Sequence, residues 1–322
     1  MNQLLMNNQV MIYLLMEVIV SVMLLIALYW AIKMLISWDF GSFSTAQYRL
    51  EKRSYLVSTI LLFSFVVKFF LLIYFVFTID SISILIPGAM CAAGVVSAND
   101  YGMQLLLTKL LILFFMLLWM SINSYDMRAK NYPLFRFKQV IFLIIFMMVA
   151  IEGYLDIEYF THIDIRQPVS CCSTLYGQLE GSNPLPFGLD IRNLMILFYM
   201  IYTLLMVTLW YKYRIVTIVL AVLFIFISYY GVVYLFGTYV YRLPTHKCPF
   251  CMMQREYYFI GYLIWGTLFI GSYQAIISSF INLYTKSDIL YNERRAMVLL
   301  SIFVAVCSSY VALYYLQNGV FL

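Results

Sequence analysis

Several stretches of this chain run for about 20 or more residues with at most one charged side chain, which is the length a helix needs to cross a hydrocarbon core of about 30 Å. Backbone that crosses lipid must satisfy its own N–H and C=O groups, so only helices and closed barrels are open to such runs. Their length and continuous apolar character select helices. The chain is therefore expected to be an all-α, polytopic transmembrane bundle. Composition agrees, since 64% of the 322 residues are hydrophobic and only 11% are charged. The longest polar interval, 161–190, is too short to bury a core of its own, so no soluble domain is expected. Met1 to Asn8 carry no Lys or Arg, and the apolar run after them exceeds the roughly 7 to 15 residues of a signal peptide core, so a cleaved signal is not expected.

Polar punctuation places eight helices at 9–37, 55–79, 103–124, 138–160, 191–211, 215–236, 257–284 and 296–317. These divide into two four-helix halves, 1–189 and 190–322. Basic residues flank one set of helix ends: Lys33, Arg49, Lys52, Arg53, Arg128, Lys130, Arg136, Lys138, Lys212, Arg214, Lys286, Arg294 and Arg295, or 13 of the 20. The opposite loops hold Arg166, Arg192, Arg242, Lys247 and Arg255, and Lys68 and Lys109 fall inside spans. The positive-inside rule then puts both termini outside.

The same orientation, made without reference to cysteine, sends every loop cysteine outward. Cys91 comes after the second helix, Cys171 and Cys172 after the fourth, and Cys248 and Cys251 after the sixth. Cys307 lies within the eighth helix, where a thiol is a small packing residue. In an oxidising compartment, loop thiols become disulfides or redox centres. This points to a multi-pass protein of the cell inner (cytoplasmic) membrane with its cysteine loops on the extracytoplasmic side.

The sharpest segment is His246-Lys247-Cys248-Pro249-Phe250-Cys251-Met252-Met253-Gln254-Arg255, directly before the seventh helix. A C-x-x-C pair can close and open as a disulfide. A helix N-terminus with Lys247 and Arg255 nearby would favour a thiolate. Cys248 is expected to be the more exposed of the two, and Arg255, four residues past Cys251, is expected one helical turn away on the same face. A structural disulfide is the plainer reading of the pair.

The run Cys248-Pro-Phe-Cys251-Met-Met-Gln254-Arg255 resembles the C-x-x-C-x-x-[Glu/Gln]-Arg signature of DsbB-type disulfide oxidases, at the outer end of a transmembrane helix. With the C-x-x-C last and the other loop cysteines before it, the order is closer to vitamin K epoxide reductase-type enzymes. The resemblance implies a membrane thiol–disulfide oxidoreductase that exchanges with a soluble thioredoxin-fold partner and passes electrons to a quinone, ubiquinone or menaquinone. It implies Cys248 as the exchanging thiol and Cys251 as the quinone-facing thiol, with Gln254 and Arg255 on the quinone side. A relay pair is then needed, drawn from Cys91, Cys171 and Cys172. Adjacent cysteines bond each other only with strain, so Cys91 with one of the other two is the favoured pairing, and a purely structural Cys91 disulfide stands beside it.

Other classes use the same residues. Cys171, Cys172, His246, Cys248, Cys251 and the two methionines offer soft ligands for copper, zinc or a heavy metal, although no closed zinc pattern is present and no metal ligand is assigned. A third reading is a non-catalytic subunit of a membrane complex, braced by disulfides. Within the spans, Glu17 and Lys68 are expected to pair. Glu152 and Asp156 share one helix face, with structural pairing as the first reading and proton relay as the second. Haem lacks intramembrane histidines, as His162 and His246 both fall in loops. Phosphate-loop and hydrolase motifs are missing from the sequence. No nucleic acid binding is expected, because orientation already accounts for the basic flanks, and the chain's general partner is membrane lipid.

Overall fold

A computed structural model describes residues 3–38, 44–89, 91–128, 132–166, 168–169, 185, 188–244, 246–285 and 293–322. Eight helices are long and apolar enough to cross a membrane, and no strand occurs among the described residues. We number them α1 Asn8–Ser37, α2 Thr45–Ile82, α3 Asp100–Asp126, α4 Phe135–Thr161, α5 Ile191–Trp210, α6 Arg214–Gly231, α7 Ile260–Thr285 and α8 Glu293–Asn318. The protein is thus an all-α, multi-pass membrane bundle. It forms two compact units, Met1–Ser170 with α1 to α4 and Cys171–Leu322 with α5 to α8.

Local chemistry sets the helix starts. The side chains of Asn7, Ser44, Asn99 and Asp190 each accept a backbone N–H from the first turn of the next helix. Helix α2 begins ten residues before the position 55 expected from hydropathy, because the Ser44 cap starts a run of polar turns, with Arg49, Glu51, Lys52 and Arg53, that hydropathy does not count. At about 1.5 Å per residue α2 is far longer than the roughly 30 Å apolar layer, so part of it extends beyond the lipid core. Arg53 lies in that early part, its guanidinium 4.5 Å from the Trp30 ring centre.

Inward faces recur every three or four residues. In α1 the buried positions are Val10, Tyr13, Glu17, Val20, Leu24, Ala27, Ala31 and Met34, while Leu15, Val18, Val22 and Leu25 are exposed and apolar. In lipid the outer face must be apolar as well, so polarity rather than hydrophobicity marks the inner face. In unit 1 that inner face carries a ring of charges. Lys68 pairs with Glu17 and lies 2.6 Å from Glu152; Lys109 lies 2.7 Å from Glu152 and 3.1 Å from Asp156. The expected Glu17–Lys68 pair is present, within a larger network that joins all four helices.

A second buried pair closes the α3–α4 hairpin. Lys138 Nζ sits 3.0 Å from Asp126 Oδ2 and donates to Asn123 Oδ1 at 3.2 Å, while Asp126 Oδ1 accepts the Leu134 N–H at 3.0 Å. Lys138 is therefore an interior cation and not a loop flank.

Removing one member of a buried ion network strands its partners, at about 3–5 kcal/mol. Lys109→Met, which leaves Glu152 and Asp156 facing each other, should lower unfolding stability by about that amount in a detergent or nanodisc thermal melt. A melt unchanged from the wild type would show that the network does not hold unit 1 together.

Candidate functional site

In unit 2 the segment between α6 and α7 carries the C-x-x-C. Beyond Gly231 the α6 helix continues through a π-turn, Val232–Phe236, and a last α-turn, Gly237–Tyr241. The π-turn accommodates one extra residue per turn, a distortion common near functional sites. It requires glycine at 237, since a Cβ there would come within 2.6 Å of the Val232 carbonyl oxygen. The helix stops at Arg242, in the left-handed region at φ 56°, and the Leu243 N–H closes onto Thr238 O at 3.1 Å.

Tyr241, the last residue of that helix, organises the cysteine turn. Its hydroxyl donates to the Cys248 carbonyl and accepts the Met252 N–H at 3.0 Å, so one phenol spans the whole Cys248–Cys251 segment. The ring edge packs on His246 at 4.3 Å and on Tyr257 at 4.8 Å between ring centres. From α7, Trp265 donates its indole N–H to the Pro249 carbonyl at 3.3 Å. Gly261 lets the loop lie against α7, because a Cβ there would stand 2.7 Å from Met252 Cγ and 2.9 Å from the Met252 carbonyl carbon. The turn is held from both sides by neutral donors and acceptors.

Three expectations about this segment are corrected. Cys251 does not lead directly into α7. It opens a short 3-10 turn, Cys251–Met253, followed by extended Gln254, a second 3-10 turn Arg255–Tyr257, and left-handed Tyr258 and Phe259 before Ile260 begins the helix. The thiols therefore do not form part of the first turn of α7, and Arg255 does not lie one α-turn beneath Cys251. Exposure is also reversed: Cys248 is 1% exposed, whereas Cys251 is partly exposed. Lys247 turns toward the Tyr234 ring, 5.0 Å from its centre, and Arg255 and Gln254 are exposed. The delayed start of α7 escapes hydropathy because positive-φ backbone at Tyr258 and Phe259 leaves no trace there, and the exposures reverse because burial depends on what packs over each sulfur.

Tyr257, outside the spans, has its hydroxyl held above the usual phenol value by partial burial, then by the neighbouring Cys251 and Glu256. Among the described residues His246 Nε2 is buried without a hydrogen-bond partner. In unit 1, Cys91 precedes the short helix Ala92–Val96 and its carbonyl accepts the Gly94 N–H at 3.0 Å. Cys171 and Cys172 lie outside the described residues. Cys307 is fully buried in α8, as a packing residue should be. Among the described residues the cysteines enter no cluster of three metal-ligating groups; the one such group is Glu17, Glu152 and Asp156.

Sequence reasoning missed Tyr241 and Tyr13. Tyr13 had a signal, four residues before Glu17 on the same helical face. Tyr241 had none, because its role depends on how α6 ends.

Tyr241→Phe leaves the Cys248 carbonyl and the Met252 N–H without their shared partner, a loss of about 1–3 kcal/mol. Faster amide exchange at Met252 with α7 unchanged is the expected readout, and exchange equal to wild type would remove Tyr241 from this role. Gly261→Ala should disturb the same turn. Comparison of the chain with family models, with curated proteins and with solved structures finds no match.

Proposed function

We propose that the protein is a membrane thiol–disulfide oxidoreductase that works through Cys248 and Cys251. The observation that carries this reading is the built turn itself: a C-x-x-C pair with one sulfur buried and one partly exposed, clamped by Tyr241 and Trp265 at the end of a membrane helix. A rigid frame around two sulfurs suits a pair that must open and reclose in one geometry.

In this reading Cys251 is the sulfur that an external thiolate reaches first. A reduced thioredoxin-fold partner attacks the Cys248–Cys251 disulfide at Cys251, and Cys248 departs as a thiolate. The partner's second thiolate then displaces Cys251, leaving partner disulfide and a Cys248/Cys251 dithiol. His246, two residues before Cys248 in the chain, is a group able to take and return a proton. Restoring the disulfide requires an acceptor for two electrons and two protons, which a membrane quinone, ubiquinone or menaquinone, would supply. The residues suit a flat, lipid-soluble ring. Tyr229, Trp265 and Phe269 form an aromatic surface with centres 6.0 and 5.9 Å apart, and Trp265 bonds Pro249 within the cysteine turn. Arg255, with Gln254 beside it, offers charge for a reduced quinone.

Orientation belongs to the same proposal. Setting aside the buried Lys138 leaves 12 basic residues on one set of helix ends against 5 on the other. That bias supports both termini and the cysteine loops on the extracytoplasmic side of the cytoplasmic membrane.

Thiol trapping with mass spectrometry of the full chain in lipid nanodiscs tests the reading. Cys248 and Cys251 should be reduced together by a dithiol and reoxidised on addition of a quinone. Cys248→Ser and Cys251→Ser should each drop turnover to background with the thermal melt preserved. Arg255→Ala should raise the quinone KM and leave the dithiol half-reaction unchanged. A pair that stays oxidised under reductant, or that is shielded by a co-purifying metal, overturns the proposal in favour of a structural disulfide or soft-metal handling.

A further inference from the structure

The charge ring in unit 1 carries an inference that does not rest on the thiol chemistry proposed for unit 2. Its members come from four helices: Tyr13 and Glu17 on α1, Lys68 on α2, Lys109 on α3, and Glu152 and Asp156 on α4. Glu17, Lys109 and Glu152 each lie about 14 Å along their helices from the ends at Asn8, Asp100 and Thr161, close to half the depth of a roughly 30 Å apolar layer. Charge there is tolerated only when matched. Three carboxylates face two ammonium groups, so full ionisation leaves one negative charge in excess. The other titratable neighbour, Tyr159 on α4, is occupied in donating to the Val95 carbonyl at 2.9 Å, and the short helix Ala92–Val96 adds no titratable group.

The hydrogen-bond geometry shows the same deficit of one proton. Tyr13 owns a single hydroxyl hydrogen, yet Glu17 Oε1 lies 3.1 Å from its oxygen, and Asp156 Oδ1 and Oδ2 lie at 3.1 and 3.0 Å. One phenol can serve only one of the two carboxylates as donor. One carboxylate oxygen from each of Glu17, Glu152 and Asp156 lies within 4.8 Å of the other two. Both lysines are already engaged, Lys68 with Glu17 and Glu152, and Lys109 with Glu152, Asp156 and Tyr13. A narrow cleft bordered by Leu113 and Met116 reaches Glu17, Lys68, Lys109 and Glu152 and has space for about one water molecule.

We propose that this ring is an intramembrane proton-binding site that holds one exchangeable proton between Asp156 and Glu17, across the Tyr13 hydroxyl. With it, the ring is neutral and every oxygen around Tyr13 has a hydrogen to share. Asp156 is its principal seat, since its one ammonium partner, Lys109, lies closer to Glu152. Exchange runs along the contacts: a hydronium in the cleft gives its proton to Glu17, Tyr13 passes its own hydrogen to Asp156, and Tyr13 takes the proton from Glu17. No heavy-atom bond changes and no electrons move.

Infrared spectroscopy of the full chain in nanodiscs reads this directly, because a protonated carboxylic acid has a C=O stretch distinct from a carboxylate and sensitive to deuteration. The wild type should show such a band at neutral pH. Asp156→Asn and Glu17→Gln should each abolish it, since either leaves two carboxylates against two ammonium groups and removes the need for a proton. Tyr13→Phe, which keeps the charge count, should retain the band and slow its response to a pH jump by about tenfold or more, the gain a positioned proton carrier provides. A wild type without the band, or a band that survives either acid substitution in folded protein, overturns the proposal. So does a melt that depends on sodium in the absence of the band, which would place a monovalent metal ion where the proton is assigned.

Discussion

Everything in unit 1 depends on cancelling charge where water cannot do so. An isolated ammonium or carboxylate midway through lipid is costly, and the cost falls only when partners arrive from other helices. Lys68 and Lys109 therefore act as fasteners. Each reaches two carboxylates, and because the carboxylates are on α1 and α4 while the lysines are on α2 and α3, the bundle cannot separate without stranding a charge. Apolar packing alone gives little preference between helix–helix and helix–lipid contact, so directional contacts of this kind choose the neighbours. The Lys138–Asp126 pair does the same at the α3–α4 hairpin.

Unit 2 is organised differently. Its decisive contacts are neutral: one phenol against a carbonyl and an amide, one indole against a carbonyl, and a glycine that admits close approach. The π-turn that ends α6 brings Tyr241 into position, and the paired left-handed residues Tyr258 and Phe259 reset the chain direction before α7. Strained backbone of this sort persists only where surrounding contacts determine it. Here they determine the frame of a C-x-x-C turn, which is the arrangement that disulfide exchange would use.

Much of this was legible beforehand, for reasons that differ from residue to residue. Eight apolar runs became eight helices because length and hydropathy are properties of a segment by itself. Glu17 with Lys68 was readable because an unmatched charge within a span demands a partner and few were on offer. The start of α2 was not readable from hydropathy, since its first turns are polar and rest on the Ser44 cap. Lys138 looked like a flank because its partner, Asp126, lies across a turn whose closure the sequence does not announce. The C-x-x-C was plain, whereas the relative burial of its sulfurs was not, because burial is decided by what packs over a side chain.

The sequence by itself determined the class of the protein, the number of its spans, the candidate cysteine pair and the presence of charges that lipid would not tolerate alone. These come from local composition and from the transfer cost of each side chain. Only the tertiary structure decided that five charges and a tyrosine close into one ring, that Tyr241 spans the cysteine turn, and that Cys248 lies beneath it with Cys251 nearer the surface. Those outcomes depend on the rotation of each helix about its axis and on a few residues of left-handed backbone. Both are set by long-range contacts between segments whose own sequences are compatible with several arrangements.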